Sequence, residues 1–180
     1  LWGRQEVLEA MPPWQGGGEM IAWVDEQDNL LGALVRADLR ERGLIGRGTY
    51  IMLFNSAGEL CVHRRTLSKA IYPGYWDVAA GGMVGEGESY AESAARELHE
   101  ELGITIASAQ PWKVTEHDYP HALVRLHWCK VHDWRGEFEM REGQTMAWQQ
   151  WPLQVRPVLP GAYPVLQWLA EERGQTFDPE

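Results

Sequence analysis

The stretch GGMVGEGESYAESAARELHEELGI, residues 81 to 104, sets three carboxylates, Glu97, Glu100 and Glu101, side by side just after a glycine-rich loop. The pattern after the loop is helical. Ser89 stands at the N-cap position and Glu92, three residues on, completes a capping box. Gly103 stands where a helix ends in the left-handed conformation. At about 100° per residue, Glu97, Glu100 and Glu101 share one face, and Ala91, Ala94, Ala95, Leu98 and Leu102 form an apolar stripe beside it. The carboxylate face is therefore expected to adjoin the buried face, where the helix meets a sheet. Like charges at this spacing repel by a few tenths of a kcal/mol on an exposed helix. They repel more strongly near a core, where water screens less. The chain must either solvate this face or place a cation against it.

Elsewhere the pattern mixes strands and helices. Residues 1 to 19 read as a tail or linker, with MPPWQGGG as Pro and Gly punctuation. EMIAWVDEQDNLLGALVR reads as a β-hairpin with an acidic turn at Asp25 to Asn29. RADLRERGL reads as a short helix ended by Gly43. GTYIMLFN and ELCVHRRT are strands around the turn NSAGE, and LSKAIYPGYW is a loop leading to the short strand DVAAGG. WKVTEHDY, ALVRLHWCKVHDW and TMAWQQWPL follow as strands. PGAYPVLQWLAEERG closes as a helix with a stripe at Val165, Leu166, Leu169 and Ala170. Without strict βα alternation, a mixed sheet with helices on its faces is the expected class, with residues 20 to 180 as one domain.

Composition narrows the partners. The net charge of -10 over 180 residues lacks the basic footprint of a nucleic-acid polymer or anionic-membrane binder. A phosphorylated small molecule stays open if a cation neutralises it. Two cysteines, Cys61 and Cys129, without a CxxC give no disulfide framework and suit a reducing compartment. The first twenty residues lack the regions of a signal peptide, no apolar run reaches membrane-spanning length, and a cytoplasmic location is expected.

Three glutamates beside an apolar stripe suit a hard divalent cation, Mg²⁺ or Mn²⁺, which binds one or two carboxylates plus substrate phosphates. A spare carboxylate could act as a base on water. A merely solvated acidic face is the competing reading of the spacing alone.

The stretch resembles the signature of the Nudix hydrolases: Gly, five residues, Glu, seven residues, Arg-Glu, an aliphatic, any residue, Glu-Glu, any residue, Gly, an aliphatic. Gly82, Glu88, Arg96, Glu97, Leu98, Glu100, Glu101, Gly103 and Ile104 occupy every fixed position. The resemblance implies an α/β/α sandwich around a mixed sheet, here extended by the N-terminal hairpin. It implies Mg²⁺ or Mn²⁺ held by Glu97, Glu100 and Glu101 with the carbonyl of Gly81, and supporting roles for Gly82, Glu88 and Arg96. It also implies cleavage of a nucleoside diphosphate linked to some group X.

Residues 22 to 151 look like the branch related to isopentenyl-diphosphate isomerase, through the hairpin, the HRRT...K segment and the PGxWD loop. The isomerase uses a cysteine and a histidine just before the box. Gly81 and Met83 occupy those positions here, so a hydrolase is expected, with a non-catalytic nucleotide-binding module and the isomerase as alternatives. The branch carries a late acidic loop. Gln144 stands where a glutamate is common, which moves the candidate base to Glu142, with Glu139 behind it. Arg65 and Lys69 are candidate phosphate contacts. Of Arg64 and Arg65, only one can face the site from a strand. His117, His121 and His127 lack metal-ligand spacing. Trp76, Trp148 and Trp151 are candidates to stack a base, and Tyr72 and Tyr75 to gate the cleft. The oligomeric state is open between monomer and homodimer.

Overall fold

The computed structural model describes residues 19–70, 72–118, 123–141 and 143–178. Of the sequence expectations, the tail (but for Glu19), His121 and Glu142 lie outside the described residues.

The chain runs β1 (Met20–Val24), β2 (Leu30–Val35), α1 (Arg36–Arg42), β3 (Ile45–Leu53), β4 (Leu60–Arg64), β5 (Trp76–Asp77) and β6 (Ala80–Met83). It continues through α2 (Tyr90–Leu102), β7 (Thr105–Ile106), β8 (Gln110–Asp118), β9 (Leu123–Val131), β10 (Trp134–Arg135) and β11 (Thr145–Gln149) to α3 (Tyr163–Glu172). The expected hairpin, and the short helix after it ended by Gly43 in the left-handed region, are present. DVAAGG splits at Val78–Ala79, where the side chain of Asp77 accepts the backbone N–H groups of both residues and turns the chain between β5 and β6. ALVRLHWCKVHDW likewise divides into β9 and β10.

The main sheet is mixed, ordered β2-β1-β3-β9-β8, with β6 also pairing β3. The β3–β9 pair is parallel and the others are antiparallel. A second antiparallel sheet orders β11-β4-β5.

Alternation along β3 divides the core. Ile51 and Leu53 face one way, into a cluster with Ala94, Leu98 and Leu102 of α2. Tyr50, Met52 and Phe54 face the other, into a cluster with Val165, Leu166 and Leu169 of α3. Successive strand residues point to opposite faces, so one strand supplies both cores and a helix covers each. This is the mixed sheet with helices on its faces that the pattern predicts, and the α/β/α sandwich that the resemblance implies.

The buried face of α2 differs from the expected stripe. It runs through Ser93, Ala94, Glu97, Leu98, Glu101 and Leu102, while Ala91 is exposed and Ala95 half-buried. Two of the three glutamates thus lie within the buried face rather than beside it. The strand opposite explains the shift. Gly81 and Gly82 of β6 carry no side chains, and Ser93 meets Thr49 of β3, Oγ to Oγ1, at 3.1 Å.

Candidate active site

Helix α2 carries the site, and its ends are fixed as the sequence predicts. The Ser89 hydroxyl accepts from the N–H of Glu92, whose carboxylate accepts from the N–H of Ser89. Gly103 closes the helix at φ 72 and donates to the carbonyl of His99. The N-terminal loop is fixed from inside. Glu88 accepts from the N–H of Gly85 at 2.7 Å and from two guanidinium nitrogens of Arg96 at 2.6 and 2.9 Å. Arg96 also donates to Glu97 at 3.1 Å, to Glu100 at 3.3 Å and to the carbonyl of Met83 at 3.1 Å. One cation joins the loop, the strand before it and two of the three glutamates of the helix.

Charge is costly to bury, and this arrangement limits the cost. Glu97 is 0 % exposed. Burial pushes its carboxyl up to about 7; Arg96 opposes that rise, and the nearby Glu100 and Glu88 add to it. Glu88 is also lifted by burial, but the hydrogen bonds from Arg96 and Gly85 outweigh that and hold it below the usual range. Near neutral pH, Glu97 is thus poised between its two protonation states.

Glu101 is 8 % exposed and opens onto a narrow cleft of about 50 Å³. The cleft brings together Gly81 from β6, Arg65 at the end of β4, Lys69 from the following loop, and Gln144. Arg65, not Arg64, faces the cleft. It is itself buried, with Nε donating to the carbonyl of Tyr72 at 3.3 Å, whereas Arg64 turns to the carbonyl of Gly74. Gly81 has no room for a side chain: a Cβ there would lie 1.9 Å from the carbonyl oxygen of Thr49. Gly82 pairs with Thr49 one residue on. Glu100, half-exposed, lies on the far side of Arg96, where it lines a second cavity of about 670 Å³ with Glu86, Glu88 and Met20.

The donors fit a hard divalent cation. They are carboxylate oxygens plus a backbone carbonyl, with no sulfur or imidazole among them, and oxygen-only sets suit Mg²⁺ and Mn²⁺. Among the described residues, no three His, Cys, Asp or Glu side chains converge as a ready-made cage. Arg96 bridges Glu97 and Glu100, one guanidinium nitrogen donating to both carboxylates.

Other candidates fall elsewhere. His117 meets Thr115, and His127 stacks on Tyr90 and faces Asp28. Trp148 stacks on Trp134 and against Phe138, and Trp76 and Trp151 pack against the α3-side core. Tyr72 and Tyr75 pack together, also against that core. Glu139 stands over Gly103, with its N–H on the carbonyl of Leu102 and its carboxylate paired with Arg141. The expected isomerase positions are closed: Met83 is fully buried and position 81 has no space for a thiol side chain.

The cleft also contains residues that the motif reading passed over, chiefly His63, Asp77, Tyr50 and Thr66. His63 was reachable from sequence, because it lies two residues before Arg65 on the same strand face. Asp77 was not, since its position opposite His63 depends on the β4–β5 register.

A family model described as NUDIX domain matches residues 44–169. An uncharacterized Nudix hydrolase of Pseudomonas aeruginosa is 81% identical over 86 residues, covering 48% of this chain and 51% of that protein. One from Yersinia pestis is 45% identical over 93 residues, covering 50% and 51%. One from Streptomyces coelicolor is 36% identical over 117 residues, covering 65% and 64%. The chain thus spans about half the length of the first two relatives. Among solved structures, a MutT from work on Aliivibrio salmonicida and Vibrio cholerae aligns with TM-score 0.57 at 25% identity, covering 70% of this chain and 98% of that one. A Deinococcus radiodurans protein aligns at 0.51 and 23% identity, covering 89% and 93%, a likeness of fold. These matches bear on the family and not on a branch within it.

Proposed function

The chain belongs to the Nudix family, and from that premise we propose that it hydrolyses a diphosphate bond in a nucleoside diphosphate linked to a group X, with the help of a divalent cation. The observation that carries this reading is the convergence of Glu101, Gly81, Arg65 and Lys69 on one cleft, with Glu97 buried one helical turn before Glu101 on α2.

Glu97, Glu100, Glu101 and the Gly81 carbonyl would hold Mg²⁺ or Mn²⁺. When bound, the ion offsets charge on phosphate oxygens and lowers the pKa of water. The remaining tasks fall to the chain. Arg65 and Lys69 orient the phosphates and offset the negative charge that grows on oxygen in the transition state. Arg96 keeps Glu97 and Glu100 in place while their charges are balanced. A carboxylate accepts the proton of the attacking water: Glu101 or one of its two neighbours on α2, or Glu142. The cleft volume of about 50 Å³ suits the phosphate end of a substrate. A nucleoside needs far more space, so the rest of the molecule lies at or beyond the mouth. The acidic surface and the small cleft support a small-molecule substrate rather than a nucleic-acid polymer. Among the described residues no helix is long and apolar enough to cross a membrane.

The test is product release from a panel of diphosphate compounds: nucleoside di- and triphosphates, ADP-ribose, NADH, coenzyme A and isopentenyl diphosphate. The reading predicts cleavage of at least one class with Mg²⁺ and none after chelation. Tight binding of a nucleotide without turnover would replace it with a nucleotide-binding module. Isomerisation of isopentenyl diphosphate would replace it with an isomerase.

A further inference from the structure

Strand β4 and the residue that follows it send two side chains into the cleft two residues apart, His63 and Arg65. The register of β4 with β5 places His63 directly opposite Asp77. The imidazole Nε2 stands 3.7 Å from Oδ2 of Asp77. Asp77 cannot easily turn away, because its other oxygen accepts the N–H of Val78 at 2.8 Å and that of Ala79 at 3.4 Å. Both side chains are largely buried, with 16% and 11% of their surface exposed, and both line the same cleft as Glu101 and Gly81.

We propose that His63, oriented by Asp77, is a third phosphate-contacting residue of this cleft, beside Arg65 and Lys69. Side chains two apart on a strand are separated by about 7 Å, so a diphosphate laid along β4 meets both. The Asp77 carboxylate, 3.7 Å from Nε2 and itself held by two backbone N–H groups, favours this direction of the ring by charge rather than by a direct hydrogen bond. As an imidazolium set between the Asp77 carboxylate and a phosphate, the ring donates from both nitrogens, Nε2–H towards Asp77 and Nδ1–H to a phosphate oxygen. Asp77 acts as a positioning residue: it does not meet the phosphate, from which its charge would repel it, but holds the ring that does.

The proposal rests on the reading of this cleft as a diphosphate site, and its test separates the two. The probe is methylene diphosphonate, a non-hydrolysable diphosphate, titrated with Mg²⁺ into the full chain by calorimetry. H63A is expected to weaken binding about tenfold, the scale of a hydrogen bond to a charged group. H63N, which keeps a donor near the ring's Nδ1, is expected to fall between H63A and wild type. D77N keeps an acceptor for the Val78 N–H and is expected to weaken binding several-fold in the wild type but not further in H63A, the non-additivity of a coupled pair. A purely structural role would lower the melting temperature without this pattern. In turnover, the effect should fall on KM more than on kcat. If R65A weakens the probe while H63A leaves it unchanged, the assignment of His63 is overturned and the diphosphate site stands. If wild type does not bind the probe, both are overturned.

Discussion

Arg96 reaches back eight residues along the chain to Glu88, Nε to Oε2 at 2.6 Å and Nη2 to Oε1 at 2.9 Å. This pair closes the loop onto the helix. The same guanidinium then touches Glu97 and Glu100, so the loop's shape and the glutamates' charge balance depend on one residue.

The carboxyl of Glu88 is held below its usual range in the folded protein. A depressed carboxyl adds stability above its unfolded-state pKa, and that stability is lost as pH falls through the folded-state value. E88Q is therefore expected to lower unfolding stability near neutrality by about 1 kcal/mol, allowing for solvent screening. The gap between variant and wild type should close at acid pH, below that lowered folded-state value. Urea unfolding of both proteins at the two pH values checks this.

Glu97 behaves in the opposite sense. Its carboxyl is raised to about 7, chiefly by burial, so without metal the folded state loses stability as pH rises through that value. A cation favours the ionised form, and binding must then release a proton. Calorimetric titration of Mg²⁺ near pH 7 in two buffers of different ionisation enthalpy should show a fraction of a proton released per ion. E97Q should abolish that release. Equal heats in both buffers for the wild type would contradict the placement of Glu97 at the cation.

A methyl group at position 81 would lie 1.9 Å from the carbonyl oxygen of Thr49. G81A is expected to cost about 3 kcal/mol or more, because backbone cannot yield as a side-chain tip can. Thermal unfolding measures the cost. G43A, at φ 65 with nothing within 4 Å of the added carbon, should cost only about 1 kcal/mol.

The hairpin turn is clamped to the start of α2 by Asp28. Its carboxylate accepts from the hydroxyl of Tyr90 at 2.8 Å and faces Arg47 at 3.4 Å and His127 at 3.4 Å. Arg125 holds the same turn through the carbonyls of Asp25 and Glu26. Asp28 sits at φ 66, which asparagine tolerates. D28N thus removes the charge without disturbing the backbone. It is expected to cost about 1–3 kcal/mol and to speed amide exchange at Gln27 and Asn29, whose N–H groups bond to Asp25. Unchanged exchange would mean that Asp25 alone holds the turn.

The sequence carried the capping box and the left-handed Gly103, because each depends on local spacing that the helix keeps. It also carried the two-sided sheet, because the unbroken apolar run YIMLF suits a strand buried on both faces. The depth of Glu97 was not legible. That depth depends on which strand lies opposite, and only the β3–β6 pairing brings Gly81 and Gly82 under the helix. The partners of Arg96 were half-legible: Glu100 lies one helical turn away, whereas Glu88 meets it only once the loop has folded back. Asp28, Tyr90 and His127 stand far apart in the chain, and no periodicity links them.

The measurement that bears most directly on the central claim is turnover by E101Q of whichever diphosphate the wild type cleaves. Glu101 opens onto the cleft that holds Arg65 and Lys69, and the substitution keeps its size and removes its charge. The account predicts that kcat falls at least a hundredfold, about 3 kcal/mol of transition-state stabilisation, with the melting temperature changed by only a few degrees. A kcat within a few-fold of wild type would contradict it.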